Sequence, residues 1–83
     1  MRVKYLDGMV PVGVDCHVAV DAIEALGPYT GPGPVGGNVL DATGGKPARS
    51  RLRLRSGLDV FSPFTAETVV RRVREARRRE ERT

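Results

Sequence analysis

The sequence has few of the residues that build a large core, and it has almost no covalent cross-linking capacity. It contains one Cys, no Trp, two Tyr and two Phe among 83 residues. A single thiol excludes a disulfide framework and a four-cysteine zinc site. Only 40% of the residues are apolar, and the ten Gly and six Pro add little to a core. A domain of this size buries roughly 60–65% of its unfolded surface. We therefore expect self-association to supply the missing stability.

Long hydrophobic runs are also absent from the sequence. No segment approaches the 18 apolar residues typical of a membrane-spanning helix, and no charged segment precedes an apolar leader. These absences predict a cytoplasmic protein that has no membrane partner. The length fits a single small domain over residues 1–77, with residues 78–83 as a frayed tail of mixed charge.

Charge is distributed very unevenly along the chain. Residues 1–45 carry two basic side chains against five acidic ones, whereas residues 46–83 carry twelve basic against five acidic. Twelve of the fourteen basic residues are Arg, which suits bidentate contact with phosphate. The imbalance predicts a surface for a polyanion, although a GC-rich genome would also enrich Arg.

Several short segments match motifs of enzymes or cofactor sites in part but lack the residues or the context that those motifs require. Gly31–Gly36 matches the dinucleotide pattern GxGxxG, but it follows no strand, opens no helix and contains prolines that lack amide donors. Gly44-Gly45-Lys46 is followed by Pro47 instead of the Ser or Thr of a phosphate loop. Cys16-His17 has only Asp15 beside it as a third metal ligand. No catalytic set is recognisable, so we expect no enzyme, no cofactor, no metal and no small-molecule substrate.

The hydrophobic pattern predicts an α+β fold: a small antiparallel sheet of three to five short strands, a short internal helix and one C-terminal helix. The segments predicted to be extended are Arg2–Leu6, Met9–Val14, His17–Val20, Asn38–Thr43, Arg49–Arg55 and Leu58–Phe61. The residues predicted to share one face of the second segment are Val10, Val12 and Val14. Asp7-Gly8 and Ser56-Gly57 are typical of hairpin turns.

Two helices and one loop complete the prediction. Asp21–Leu26 fits a short helix, because Asp21 and Glu24 have the spacing of a capping box. Eight of the eleven residues in Gly27–Gly37 are Gly or Pro, which predicts an exposed loop. Thr65 is the expected N-cap of the final helix, with Phe64 placed to contact its first turns. The apolar stripe of this helix is Ala66, Val69, Val70, Val73 and Ala76.

The segment Arg49–Arg55 carries the strongest functional signal. Alternation on a strand would put Leu52 and Leu54 inside and leave a row of arginines outside, about 6.6–6.8 Å apart. The four residues of this arginine row are Arg49, Arg51, Arg53 and Arg55. The row could contact successive phosphates, pair with acidic residues of another subunit, or simply be solvated.

One part of the sequence resembles a known family. Val39–Arg49, followed by Ser62 and then by a Glu-Thr…Arg helix start, resembles the bacterial extracellular-matrix regulatory protein family, the RemA-like proteins. The matching positions are Asp41, Ala42, Thr43, Gly45, Lys46, Arg49, Ser62, Glu67, Thr68 and Arg72. They span about 35 residues without a gap. Gly44 and Pro47 depart from the family pattern, which has Tyr and a second Arg there.

The resemblance implies a DNA-binding transcription regulator that assembles as a ring-like homo-oligomer. The basic cluster that the family uses for DNA would correspond to Lys46 and Arg49. Together with the arginine row, this predicts a DNA-binding regulatory homo-oligomer that contacts duplex phosphates through Lys46, Arg49, Arg51, Arg53 and Arg55. The alternative is a structural or assembly protein, cellular or viral, whose arginine face makes subunit contacts.

Overall fold

The computed structural model describes residues 8–31 and 36–82, and it describes side chains in these ranges as far as Arg79. The predicted strand Arg2–Leu6 lies outside the described residues, as do Asp7 of the first predicted turn and residues 32–35 of the Gly/Pro loop.

The described chain confirms the α+β class. Its elements are β1 (Met9–Gly13), β2 (Cys16–Ala19), a 3-10 turn (Val20–Ala22), β3 (Ile23–Pro28), β4 (Val39–Asp41), β5 (Ser50–Leu54), β6 (Asp59–Ser62) and α1 (Ala66–Arg82). β1 and β2 form an antiparallel two-stranded sheet, and the other strands form a second sheet in the order β3-β5-β6-β4. Within that sheet β4 runs parallel to β6, whereas the other pairs are antiparallel.

The predicted helix Asp21–Leu26 is wrong: its last four residues belong to β3, which pairs with β5. The strand also includes Gly27 and Pro28, which were predicted to begin the Gly/Pro loop. No side chain caps the 3-10 turn that precedes it, so the capping-box signal has no structural counterpart. The pairing of β3 with β5 contains a bulge, because the register shifts between Ile23 and Ala25. This bulge lets Ile23 and Leu26 face the same side although they are three residues apart, a spacing that otherwise indicates a helix.

The prediction for β1 holds for two of its three valines. Val10 and Val12 are fully buried, but Val14 is 54% exposed because the strand ends at Gly13. The pairing with β2 shifts between Pro11 and Gly13, and Asp15 has a φ of 53° in the connection to β2. The chain therefore turns before the alternation reaches Val14.

The core lies between the strands and α1. Its buried members are Val10, Val12, Val18, Val20, Ala42, Leu52, Val60, Val69 and Ala76. Thr65 caps the helix as predicted, because its Oγ1 accepts the Thr68 backbone N–H at 3.2 Å. Arg72 ties α1 to β1 by donating to the Pro11 carbonyl at 3.2 Å, and its guanidinium lies 4.4 Å from the centre of the Phe64 ring. The helix continues to Arg82, beyond the end of its apolar stripe.

Candidate nucleic-acid interface

The strand β5 has the two-sided character that its sequence predicts. Leu52 is fully buried and Leu54 is partly buried against the core, whereas Arg51 and Arg53 are exposed on the opposite face. In the sheet, β5 lies between β3 and β6. We call the side of this sheet that carries Arg51 and Arg53 the outer face. Arg49 and Arg55, which adjoin the two ends of β5, are exposed as well.

Asp59 on β6 divides the arginine row into paired and unpaired members. Its carboxylate accepts from Arg53 Nε at 2.9 Å and from Arg53 Nη2 at 3.2 Å, and Arg51 Nη2 donates to it at 3.3 Å. The Arg53 hydrogen bond, helped by the charge of Arg51, lowers the pKa of Asp59 below its ordinary value. The same bond and the charge of Asp59 raise the pKa of Arg53, with a smaller contribution from Glu24.

Arg55 has a different local partner. Its Nε donates to the backbone carbonyl of Asp21 at 2.8 Å, and its backbone N–H donates to the carbonyl of Ala22, also at 2.8 Å. These two bonds fasten the end of β5 to the 3-10 turn. Neither bond involves a carboxylate, so Arg55 forms no ion pair with a described residue.

Lys46 and Arg49 lie at the other end of β5. The loop before them starts with Asp41, whose Oδ1 accepts the Thr43 hydroxyl at 2.6 Å and the Thr43 backbone N–H at 3.0 Å. These hydrogen bonds, the side-chain bond first, lower the pKa of Asp41. Gly44 and Gly45 then adopt φ values of 63° and 91°, and the backbone N–H of Lys46 donates to the Thr43 carbonyl at 3.3 Å. The result is a tight turn that presents Lys46 to solvent.

Two backbone hydrogen bonds hold Arg49 in place. Its N–H donates to the Ser62 carbonyl at 2.8 Å, and its own carbonyl accepts from the Tyr29 N–H at 3.0 Å. Neither Arg49 nor Lys46 has a side-chain hydrogen bond or ion pair with any residue that the structure describes. Of Lys46 and the arginine row, the cations without a carboxylate partner among the described residues are therefore Lys46 and Arg49 at this end of the row and Arg55 at the other.

Two depressions lie beside arginines of the row. A shallow trough of about 550 Å³ lies along β3 and is bordered by Glu24, Arg51 and Arg53. A cleft of about 570 Å³ lies near Arg49 and is lined by Tyr29 and Pro47 among others. Neither Tyr29 nor Asp59 was predicted to be a site residue from the sequence. The only signal for them was an isolated aromatic residue in a Gly/Pro segment and an acidic residue just after a turn.

Several positions that match the RemA-like pattern have structural roles in this chain. Asp41 and Thr43 shape the turn before Lys46, and Ala42 is buried in the core. The Ser62 hydroxyl accepts the Phe64 N–H at 3.0 Å, which orients the chain toward the N-cap of α1. These interactions explain the residue types without a ligand.

Helix α1 provides a second basic surface. Its exposed arginines are Arg71, Arg74, Arg77, Arg78 and Arg79. Two acidic residues, Glu67 and Glu75, lie on the same exposed side at intervals of four residues from Arg71. This mixed charge pattern is typical of a solvated helix face, and it makes α1 the natural comparison surface for any binding experiment.

Other classes of site find little support among these residues. Within the described ranges, no three His, Cys, Asp or Glu side chains are grouped closely enough to hold a metal ion. Burial raises the pKa of the Cys16 thiol. Over the same ranges, no helix has both the length and the apolar character needed to cross a membrane. No protein-family model matches the sequence, and no curated protein matches it.

Proposed function

We propose that this chain is a DNA-binding regulatory protein that acts as a homo-oligomer and contacts phosphates through its outer face. The observation that carries the proposal is the pair Lys46 and Arg49, two exposed cations that have no described intramolecular partner. Beside them, Arg51 and Arg53 extend the positive surface along the same strand. The resemblance to RemA-like proteins supports the same function and adds a ring-like assembly.

Phosphate contact suits this surface better than base recognition. The described helix carries no Asn or Gln, the side chains that pair with adenine in the major groove. Arg and Lys on a strand and a loop make contacts that position a protein on the nucleic-acid backbone. We therefore expect binding that is strongly salt-dependent and only weakly dependent on sequence.

Self-association would compensate for the small size of one binding surface. A single subunit offers few unpaired cations, so one copy would bind weakly. Linked copies raise the effective concentration at neighbouring sites without any new contact. In the described sheet β3 and β4 are edge strands, and an open edge can pair with another copy.

Native mass spectrometry with a 20-base-pair duplex tests this proposal. At low salt we expect an assembly well above the 9.0 kDa of one chain, and a further shift in mass when the duplex is added. High salt should release the duplex and leave the assembly intact. A monomer at micromolar concentration that ignores the duplex at low salt would contradict both parts.

A second candidate is a structural assembly protein whose arginine face contacts other subunits. It is favoured by Asp59, because Arg51 and Arg53 already hold a carboxylate within the chain. The same guanidinium groups could bind acidic residues of a neighbour. In the experiment above, this candidate predicts a stable assembly whose mass does not change with DNA at any salt concentration.

A further inference from the structure

The cleft beside Arg49 combines flat apolar walls with a cation. Its floor and sides include Pro28, Tyr29, Pro47 and Ala48, and Arg49 is part of the same lining. A volume of about 570 Å³ lies within the range of small-ligand sites, roughly 300–1,000 Å³. We call it the Tyr29 cleft.

Two interactions hold Tyr29 in its position beside the cleft. The Tyr29 ring meets the Phe61 ring edge-on, with centroids 4.8 Å apart and planes at 77°. Phe61 itself is only 6% exposed, so it anchors Tyr29 to the sheet. The Tyr29 backbone N–H donates to the Arg49 carbonyl at 3.0 Å, which holds these two residues side by side where β3 ends and β5 begins. A ligand would therefore lose little free energy in ordering the Tyr29 ring.

The chemistry of the cleft fits one nucleotide that is not base-paired. A flat apolar wall with an aromatic ring accepts any base by stacking, and a guanidinium beside it accepts the adjoining phosphate. Glu67 also borders the cleft, and its carboxylate would keep the phosphate at the Arg49 side. In a duplex the bases are already stacked and paired, so they can enter only by flipping out, which costs a few kcal/mol per base.

We propose that the Tyr29 cleft binds an unpaired base of single-stranded nucleic acid, with Arg49 on the adjoining phosphate. This inference rests on the proposed nucleic-acid function and refines it, because it assigns a preference for single strands over the duplex. In this proposal the base contacts Tyr29, and the remaining arginines attract the phosphates without contacting a particular base.

Fluorescence anisotropy with three labelled oligomers of equal strand length tests the inference. The probes are single-stranded oligo-dT, a single-stranded abasic oligomer that keeps the phosphates but has no bases, and a duplex. We expect the wild-type protein to bind oligo-dT about 5- to 100-fold more tightly than the abasic strand, the range given by one stacked base. Equal affinity for these two strands overturns the inference, and it does so without any variant that needs to fold.

Variants then locate the contact. Tyr29→Leu should bring the affinity for oligo-dT down to that for the abasic strand, whereas Tyr29→Phe should retain the difference. Arg49→Gln should weaken all single strands, and the matched change Arg74→Gln on α1 should have no effect. If Arg74→Gln weakens binding as much as Arg49→Gln, the site is not in this cleft.

The outcomes separate this inference from the function on which it rests. Duplex binding together with equal affinity for oligo-dT and the abasic strand overturns the inference and leaves the proposed function standing. Failure to bind all three probes at low salt contradicts the proposed function itself.

Discussion

Arg53 and Asp59 face each other across β5 and β6 and form a bidentate ion pair, with Nε–Oδ1 at 2.9 Å and Nη2–Oδ2 at 3.2 Å. Arg51 shares the same carboxylate at 3.3 Å. A row of arginines that looks uniform in the sequence is therefore divided on the folded surface. Arg51 and Arg53 share a carboxylate, whereas Lys46 and Arg49 have no side-chain partner among the described residues.

Replacing Asp59 by Asn should strengthen binding to DNA. The change removes a negative charge that competes with phosphate for Arg51 and Arg53. If one more phosphate is neutralised, the slope of log K against log salt should steepen by about 0.9. Anisotropy titrations of a duplex at several salt concentrations measure both quantities.

The control for this variant is Asp15→Asn, which makes the same charge change on the exposed connection between β1 and β2. It should leave the slope unchanged. If Asp59→Asn lowers the thermal midpoint but does not alter DNA affinity, Arg51 and Arg53 serve the sheet and not a nucleic acid.

Acid should destabilise the fold through Asp41 and Asp59. Both carboxyl groups have pKa values lowered by their hydrogen bonds in the folded state. A group with a lowered folded pKa contributes stability above its unfolded pKa of about 3.9, and this contribution disappears as the pH falls through the folded pKa. Urea unfolding between pH 7 and pH 2.5 should show stability decreasing below about pH 4.

Two variants assign this acid-dependent loss. Asp41→Asn retains an oxygen acceptor for Thr43 but no longer titrates, so its stability should depend less on pH below 4. The stability of Asp59→Asn should also depend less on pH below 4, and at neutral pH it should be lower than that of the wild type. A pH dependence identical to that of the wild type in both variants would show that other carboxyl groups are responsible.

Local sequence patterns were sufficient for some elements and not for others. Strict alternation from Arg49 to Arg55 predicts β5 and its two faces, and the Thr65 hydroxyl predicts the start of α1. At Ile23–Leu26 the tertiary structure overrides the pattern. The capping-box spacing of Asp21 and Glu24 indicates a helix there. The chain instead pairs with the open side of β5 and forms an edge strand with a bulge.

The Arg53–Asp59 pair depends on a register that the sequence does not specify. A two-residue turn at Ser56-Gly57 would place Asp59 opposite Leu54. In the structure the Leu54 backbone N–H donates to the Leu58 carbonyl at 2.9 Å, so the turn has three residues, Arg55, Ser56 and Gly57. Gly57 has a φ of 92°. This shift by one residue moves Asp59 opposite Arg53, so a single loop residue determines how much free charge the surface retains.

Gly13→Ala should destabilise the fold by about 1–3 kcal/mol, the usual cost of overpacking. A Cβ at Gly13 would overlap both the carbonyl oxygen and the Cβ of Ala42, where β1 meets the end of β4. Gly27→Ala is the matched control, because its Cβ would meet nothing within 4 Å. Urea denaturation compares them, and equal stabilities would show that β1 does not pack against Ala42 in solution.

Leu52→Ser and Arg51→Ser test the two faces of β5 separately. Leu52 is fully buried in the core, so its replacement should cost about 2–5 kcal/mol in unfolding free energy. Arg51 is exposed, so its replacement should leave folding nearly intact while weakening DNA binding. A reversed order of stabilities by urea denaturation would mean that the faces are assigned the wrong way round.

The salt dependence of duplex binding tests the central claim most directly. If two subunits each neutralise two or three phosphates, the slope of log K against log salt should be about −4 to −5. The triple variant Arg49→Ser, Arg51→Ser, Arg53→Ser should flatten that slope and weaken binding to all duplex sequences alike. Its matched control, the triple variant Arg77→Ser, Arg78→Ser, Arg79→Ser on α1, should retain the wild-type slope. A flattened slope in the helix variant and an unchanged slope in the strand variant would contradict the account.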